Sequence, residues 1–252
     1  RLAQRGERLT VGALPWVAPV YRAMPQVAEV VEFPFQHGGL QFAARRRLAC
    51  DFNGRFDAAY VLPNSIKSAL LPLLAGIPKR IGYLGETRVG LLTHRLKNPP
   101  RSQRPPMVAF YSRLSGDAQD DIAQDRPRLQ LDAADMDAGL TELGLHKGGY
   151  YVFAPGAEYG PAKRWPTAHY AELAARLDLP VLLLGSAKEA ALCEEIAAPV
   201  NGQQAGKCLN MAGKTSLALA LCAISATKIV VSNDSGLMHV AAAFGIPQVA
   251  IF

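Results

Sequence analysis

The stretch from Lys228 to Phe252 constrains the fold more than any other, because it predicts a strand, a helix and a second strand in succession. Residues 229–231 are apolar and approach a buried strand, and the capping residues Asn-Asp-Ser follow at 233–235. Gly236 opens a helix of small residues, and a second apolar strand runs over 248–252. This order of elements is typical of a βαβ unit.

The polar residues 233–235 lie where a parallel strand ends and a helix begins. Backbone N–H groups without partners and the positive end of the helix dipole attract an anion at such a position. His239 lies on the opening turn of the same helix. The pattern therefore predicts an anion-binding site, and plain helix capping is the alternative.

Strands and helices alternate along the rest of the chain, which predicts an α/β fold with mostly parallel sheets covered on both faces. Ligands of such sheets bind at the carboxyl ends of the strands. The 252 residues suit two domains. Gly148 and Gly149 precede a fresh strand, so we expect a boundary near residue 147 that separates a domain over 1–147 from a second over 148–252.

Composition limits the kind of protein. Half of the residues are hydrophobic, which indicates a globular chain, but the longest apolar stretches have about ten residues, against the ~20 of a membrane span. No signal peptide is recognisable. The four cysteines form no CxxC pair and are expected to be buried thiols of a reducing compartment, the cytoplasm: Cys50, Cys193, Cys208 and Cys222.

Positive charge is concentrated in the first half. Residues 1–104 hold 16 Lys and Arg against 6 Asp and Glu, whereas residues 149–252 hold 7 of each. Such asymmetry indicates an acidic partner, which could be a nucleic acid, an anionic membrane or a phosphorylated substrate, and a solvated basic face is the alternative. Nucleic-acid binding is disfavoured, because no helix-turn-helix or RNA-binding signature is present.

Two features of the first half stand out. Asn64 and Ser65 follow the predicted strand 58–62 and cap a helix whose first turn carries Lys67, a cation where the helix dipole disfavours one. Arg45, Arg46 and Arg47 are expected on the surface of a helix over 40–50. Residues 79–106 are basic and rich in Gly and Pro, which predicts a long loop.

Four loops of the second half follow successive strands, so their residues are expected to converge on one crevice. They are PGAEYGPAKRWP from Pro155, GSA from Gly185, GKTS from Gly213 and NDSG from Asn233. Their glycines let backbone N–H groups approach a phosphate, and Lys163 can neutralise one. The first loop is no P-loop, because GxxxxGK[ST] is absent. Together the loops predict a pocket for a nucleotide.

These same motifs, with LLGSAKE, NMAGKTSL, NDSGLMHVAAAFGIP and VLPNSIKSALLPLLAGIPKRIGY, resemble the bacterial lipopolysaccharide heptosyltransferases over nearly the whole chain. The resemblance is closest to the heptosyltransferase II branch. It implies a GT-B fold, in which two Rossmann-like domains face each other across a cleft. It also implies inverting transfer of L-glycero-D-manno-heptose from ADP-heptose to the first heptose of the inner core, with no metal or other cofactor.

The resemblance also implies roles for individual residues. The second domain would bind the donor, with Lys163 on the diphosphate, Asp234 on sugar hydroxyls and Glu189 on the ribose. The donor set is Glu158, Tyr159, Lys163, Ser186, Glu189, Thr215, Asp234, Ser235, Gly236 and His239. The first domain would bind the acceptor, heptosyl-Kdo2-lipid A, through Asn64, Ser65, Lys67 and Arg88.

The chain departs from the family at one point. The family's general base is an aspartate in the loop after its first strand, which would precede Arg1, so no catalytic residue is assigned and we expect a fragment that is truncated at both ends.

The resemblance implies an enzyme at the cytoplasmic face of the inner membrane, on an anionic surface. The alternatives are heptosyltransferase I or another core sugar transferase of the same fold. Less expected are a non-catalytic nucleotide-binding protein and a nucleic-acid-binding protein.

Overall fold

The structure, a computed structural model, describes residues 1–36, 39–86, 88–116, 126–157 and 163–252. Contacts between residues divide it into two compact units. The first unit comprises Arg1–Leu14 and Glu32–Arg126, and the second comprises Pro15–Val31 and Pro127–Phe252. This division differs from the boundary expected near residue 147.

Strands and helices follow one another along the chain in an alternating order. They are β1 (Leu9–Ala13), α1 (Ala18–Arg22), β2 (Val27–Glu32), α2 (Phe42–Phe52), β3 (Ala58–Val61), α3 (Ile66–Leu74), β4 (Lys79–Tyr83), β5 (His94–Leu96), α4 (Met107–Ser112), α5 (Ala133–Leu143), β6 (Tyr151–Ala154), α6 (Thr167–Arg176), β7 (Val181–Leu183), α7 (Ala190–Gln203), β8 (Cys208–Asn210), α8 (Leu217–Ser225), β9 (Val230–Asn233), α9 (Gly236–Phe244) and β10 (Gln248–Ile251). Short 3₁₀ turns cover Ala3–Arg5, Arg101–Gln103, Arg113–Ser115 and Ala187–Glu189.

Residues 127–147 belong to the second unit because of contacts that are distant in sequence. Helix α5 packs on α8 so closely that a Cβ on Gly139 would lie 2.8 Å from the side chain of Cys222. The N–H of Leu129 donates to the carbonyl of Ala243 at 2.9 Å. The Gly-Gly pair at 148–149 marks the start of a strand, but it carries no information about which core the preceding helix joins.

The second unit is built on a parallel sheet of strand order β10-β9-β6-β7-β8. Every residue of β6, β7 and β9 is buried, as both faces of the sheet are covered. Alternate residues of one strand point to opposite faces, so Phe153 packs with α6 and α7 while Val152 packs with α8 and α9. The carboxyl ends of these strands therefore meet at one edge.

The first unit contains a smaller parallel sheet of order β3-β4-β5. Ala58 pairs with Lys79 and Ile81 pairs with His94. The long loop predicted over 79–106 is therefore wrong, because it contains β4 and β5. Their sequences, KRIGY and HRL, are too charged to be recognised as strands. Pairing holds them in the sheet rather than propensity: β4 pairs with β3, and β5 pairs with β4.

Two expectations about burial are also corrected. Arg45 is buried, not on the helix surface: its Nε donates to Leu40 O at 2.7 Å and its guanidinium lies 4.1 Å from the ring centre of Phe35. Cys50 is exposed, whereas the other three thiols are buried as expected. Burial raises the pKa of Cys193 to about 12 and that of Cys208 to about 11, so both thiols stay protonated at neutral pH.

The α/β class is confirmed, and so is the strand, helix and strand order predicted over 228–252, which the structure forms as β9, α9 and β10. Short helices α1 and α4 were missed. The longest described helix, α7, has 14 residues, and none of the described helices qualifies as a membrane-crossing segment.

Candidate functional site

The loops after β6, β7, β8 and β9 lie together at the carboxyl edge of the larger sheet. The N–H of Gly213 donates to the carbonyl of Gly185 at 2.9 Å, which joins the third loop to the second. A Cβ on Gly156 would lie 1.5 Å from Oε1 of Glu189, so the first loop lies directly against that carboxylate. The structure thus brings the described residues of the four predicted loops together within the second unit.

Asn233, the last residue of β9, ties the first loop to the fourth. Its Nδ2 donates to Pro155 O at 2.6 Å, at the start of the first loop. Its Oδ1 accepts from the N–H of Trp165 at 3.1 Å, at the end of that loop, and from the hydroxyl of Tyr170 at 3.3 Å. Asn233 has no solvent exposure. A single buried carboxamide therefore holds both ends of the loop that carries Lys163.

The hydroxyl of Tyr170 is a dependable donor in this arrangement. The ring is completely buried, and burial raises the pKa of Tyr170 well above its usual value. The hydroxyl therefore stays protonated across the neutral range and keeps its bond to Asn233. Trp165 packs edge-on against the same ring, with 4.9 Å between ring centres. These contacts order the C-terminal end of the first loop.

Lys163 and Asp234 form an ion pair between the first and fourth loops. Nζ of Lys163 donates to Oδ2 of Asp234 at 3.0 Å, and the two side chains are 48% and 36% exposed. Both charged groups are therefore within reach of a ligand at this edge. The two other residues predicted on the first loop, Glu158 and Tyr159, lie outside the described residues.

Helix α9 begins directly beside this pair. Ser235 is its N-cap residue, but the side chain makes no capping hydrogen bond. The Ser235 Oγ atom is buried and has no hydrogen-bond partner among the described residues. Gly236 has open space where a Cβ would stand, and His239 is exposed one turn further along. The start of α9 therefore offers an unused hydroxyl and backbone N–H groups, and Ser235 is not the simple cap that was the alternative.

Ser186, Glu189 and Thr215 lie on the second and third loops. Ser186 and Glu189 form a capping box, in which Oε2 of Glu189 accepts from the backbone N of Ser186 at 2.6 Å and from its hydroxyl at 3.0 Å. This carboxylate thus has a structural role that the sequence analysis did not foresee. Thr215 is half-buried beside Ser216, whose Oγ caps α8 by accepting from the N–H of Leu219 at 3.2 Å.

Three of the four residues expected to bind an acceptor lie at the carboxyl end of β3 in the first unit. Asn64 and Ser65 are half-buried in the loop between β3 and α3, and Ser65 is the N-cap residue of α3. Lys67 is half-buried in the first turn of that helix. Its carbonyl accepts from Nη1 of the buried Arg45 at 2.9 Å. Arg45 thus holds the backbone of Lys67, the residue whose positive charge the helix dipole disfavours.

Arg88 does not fit the role expected for it. The residue has no solvent exposure, and its guanidinium donates to the carbonyls of Pro63 and Tyr83 and to Oδ1 of Asn64. A long side chain in a basic stretch suggested a surface cation, but folding of β4 against β3 buries it. Arg88 therefore cannot contact an acceptor in this arrangement.

The sequence analysis missed the interactions that hold the site together. Asn233 was assigned to the anion-binding or capping cluster 233–235, and neither Arg45 nor Glu86 was given a structural role. A buried polar residue carries no local signature, because its partners come from segments remote in sequence. The described residues contain no cluster of three or more His, Cys, Asp or Glu side chains able to hold a metal ion.

The role of Asn233 predicts how its closest replacement behaves. Asn233→Asp keeps the acceptor for Trp165 but places a carboxylate oxygen against Pro155 O. We expect the free energy of unfolding to fall by about 1–3 kcal/mol at neutral pH, the cost of a buried polar group without its partner. Denaturant unfolding followed by tryptophan fluorescence measures this, because Trp16 and Trp165 both belong to the second unit.

The pH dependence of this variant separates a lost donor from a general packing defect. Burial raises the pKa of the new carboxyl above its unfolded value, and its protonated form can donate to Pro155 O again. The deficit should therefore be small below the unfolded pKa and grow as pH rises through the folded pKa. Asn201→Asp is the control, because it removes a similar bond, Nδ2 to Cys208 O, at a half-buried position. Equal losses in the two variants, independent of pH, would contradict the role of Asn233.

Comparisons with known proteins identify the family of this chain. The family model described as "Glycosyltransferase family 9 (heptosyltransferase)" matches residues 45–252. Lipopolysaccharide heptosyltransferase 2 of Escherichia coli K12 is 42% identical over 97% of this chain and 73% of its own length. Lipooligosaccharide heptosyltransferase 2 of Haemophilus influenzae is 38% identical over 97% of this chain and 74% of its own length.

A solved heptosyltransferase structure also resembles this chain. That of E. coli ADP-heptose LPS heptosyltransferase II matches with a TM-score of 0.83 and 41% identity, over 99% of this chain and 77% of the other. This likeness confirms the GT-B class that the sequence resemblance implied. The chain belongs to glycosyltransferase family 9, the heptosyltransferases.

Proposed function

We propose that this chain is an inverting glycosyltransferase that moves L-glycero-D-manno-heptose from ADP-heptose to the first heptose of the lipopolysaccharide inner core. The observation that carries the proposal is the 42% identity, across 97% of the chain, with a protein named lipopolysaccharide heptosyltransferase 2. The geometry of the second unit supports it, because a lysine, a carboxylate and a free hydroxyl meet at the start of α9.

The donor would bind at the edge of the larger sheet. The diphosphate of ADP-heptose carries the charge that Lys163 can neutralise, and the hydroxyl of Ser235 and the N–H groups of α9 can donate to its oxygens. Asp234 can only accept hydrogen bonds when ionised, so it suits sugar hydroxyls rather than phosphate. Ser186, Glu189 and Thr215 border the same edge and are proposed to line the nucleoside part.

The chemistry follows from this placement. A base removes the proton of an acceptor hydroxyl, whose oxygen attacks the anomeric carbon on the face opposite to the diphosphate. The new C–O bond forms as the bond to the phosphate oxygen breaks, which inverts the configuration and releases ADP. Lys163, Ser235 and the dipole of α9 stabilise the negative charge that develops on ADP. The base is assigned to no residue of this chain.

The acceptor would be recognised by the first unit through Asn64, Ser65 and Lys67. We propose heptosyl-Kdo2-lipid A as this acceptor, met at the anionic cytoplasmic face of the inner membrane. The excess of basic residues over 1–104 supports an anionic partner. Arg88 is excluded from direct contact because it is buried.

The test of the proposed function is transfer to two acceptors that differ by one heptose. With ADP-heptose as donor, we expect ADP release and a product heavier by one heptose only when the acceptor already carries the first heptose. Transfer to Kdo2-lipid A, which lacks it, would instead favour heptosyltransferase I. Calorimetry with ADP decides between an enzyme of this kind and a nucleic-acid-binding protein, which has no reason to prefer ADP to other anions.

Lys163 should contribute to donor binding through its charge. Lys163→Ala should weaken ADP binding by about 1.5–3 kcal/mol, the range for hydrogen bonds to charged groups. Lys228→Ala is a matched control, because Lys228 is also 48% exposed and paired with an aspartate, Asp178, but precedes β9 at the opposite edge of the sheet. Unchanged ADP affinity in Lys163→Ala, or an equal loss in the control, would remove Lys163 from the donor site.

The basic surface of the first unit should bind anionic bilayers. Arg46, Arg47 and Arg95 are exposed, and each cation near such a surface gains about 1 kcal/mol. Replacing all three by Gln should lower co-sedimentation with vesicles that contain anionic lipid, and high salt should lower binding of the unmodified protein in the same way. Equal binding of both proteins to anionic and neutral vesicles would mean that these arginines are only a solvated face.

A further inference from the structure

The buried guanidinium of Arg88 joins the ends of two neighbouring strands. It donates to Pro63 O at 2.6 Å and to Asn64 Oδ1 at 3.2 Å, just after β3, and to Tyr83 O, the last residue of β4. Nη1 of Arg88 also lies 3.5 Å from Oγ of Ser68, at the limit of a hydrogen bond. Burying a guanidinium is unfavourable unless its donors find partners. Here Nη1 and Nη2 have such partners, whereas Nε has none among the described residues. Two of the bonds go to the loop between β3 and α3, which the sequence resemblance assigns to acceptor binding.

Glu86 holds the same loop from the side of the helix. Its Oε2 accepts from the N–H of Ile66, the first residue of α3, at 2.9 Å, while the side chain of Ser65 makes no capping bond. The carboxylate also compensates the positive end of the helix dipole. Glu86 has a φ of +41°, a conformation that is sparse for residues other than glycine. Such backbone conformations cluster where the surrounding structure and function require them.

Gly85 gives a third point of contact. A Cβ at this position would lie 2.9 Å from Asn64 O and 3.1 Å from Asn64 Cβ. The chain after β4 therefore touches the loop after β3 along its backbone, and only a glycine permits that approach. Three different kinds of contact thus fix one loop: a close backbone approach, a charged helix cap and a forked guanidinium.

We propose that Glu86 and Arg88 are positioning residues that hold the acceptor-side loop, Pro63–Ser65, and the first turn of α3 in the conformation that binds the acceptor. The proposal rests on the proposed function, in which Asn64, Ser65 and Lys67 meet the acceptor. Arg88 thus acts on the reaction through Asn64 rather than by touching substrate.

The chemistry of the guanidinium fixes which groups Asn64 presents. A guanidinium has only donors, so the carboxamide of Asn64 must turn its oxygen toward Arg88. Its NH₂ group is then directed away from Arg88, and this group donates to oxygen acceptors. Asn64 therefore suits a sugar hydroxyl, a phosphate or a carboxylate of the acceptor. Loss of Arg88 would release the carboxamide to rotate and would lower acceptor affinity without touching the donor.

The test compares Arg88→Lys with the unmodified enzyme in steady-state assays in which both substrates are varied. Lysine keeps the charge but cannot fork between Pro63 O and Asn64 Oδ1. We expect the KM for the acceptor to rise by about tenfold while the KM for ADP-heptose stays within about twofold. This pattern is expected when a substitution weakens only the binding of the acceptor. Arg104→Lys is the matched control: Arg104 is a half-buried arginine of the same unit that binds Pro99 O. It should leave both values unchanged.

A double-mutant cycle separates positioning from a general loss of stability. If Arg88 acts through Asn64, the Arg88→Lys, Asn64→Ala double variant should have the same acceptor KM as Asn64→Ala alone. The proposal would be overturned if the double variant raised the acceptor KM by the product of the two single effects, or if Arg88→Lys raised the KM values of both substrates together. Should Arg88→Lys fail to fold, Glu86→Ala decides the matter: it removes the cap on Ile66 and should raise the acceptor KM severalfold, whereas an unchanged value would overturn the proposal.

Failure of this proposal is distinguishable from failure of the proposed function. If the unmodified enzyme transfers heptose but Asn64→Ala and Arg88→Lys keep its acceptor KM, the loop is not the acceptor site and the function stands. If the unmodified enzyme transfers no heptose from ADP-heptose to either acceptor, the proposed function itself fails, and the positioning proposal fails with it.

Discussion

The hydrogen bonds of the Asn233 carboxamide are the interactions on which the sheet edge of the second unit depends. It uses its donor on Pro155 and its acceptor on Trp165 and Tyr170, so three segments converge on one buried group. An unpaired amide in that position would cost about 1–3 kcal/mol, which is a large part of the marginal stability of a domain. The carboxamide at this sheet edge therefore also fixes the two ends of the loop that carries Lys163.

In the first unit, charged side chains hold the backbone of the loop after β3. Arg88 and Glu86 reach from the end of β4 to the loop after β3, while Arg45 reaches from α2 to the carbonyl of Lys67. In each unit a partly exposed lysine lies on or directly after a loop whose backbone is held by polar side chains, of which Asn233, Arg45 and Arg88 are buried. Rigid support beneath exposed charges keeps the ligand-facing groups in place without spending ligand-binding energy on ordering them.

The sequence predicted the α/β class and the alternating order of elements in the second half, because apolar runs such as YVFA and IVV and the capping residues near them act locally. It did not predict β4, β5 or the place of α5, which depend on pairing and packing with distant residues. The candidate site followed the same rule. Asp234, Ser235 and Lys163 were recognisable from their motifs, whereas Asn233 and Glu86 gained their roles only from tertiary contacts, and Arg88 was misread as exposed.

The contrast between Asn233 and its neighbour Asp234 suggests how such an edge can be both ordered and ready for a ligand. The Lys163–Asp234 pair is well exposed on both sides, and pairs of this kind stabilise a protein by only about 0–1 kcal/mol. A diphosphate that offers several charged oxygens can therefore displace Asp234 from Lys163 at little cost, which leaves the carboxylate to accept hydrogen bonds from sugar hydroxyls. The backbone does not need to move in this exchange, because its position is set by the buried amide of Asn233. Rigidity and exchangeability thus belong to two adjacent residues: the buried carboxamide of Asn233 at the end of β9 and the partly exposed carboxylate of Asp234 in the loop that follows.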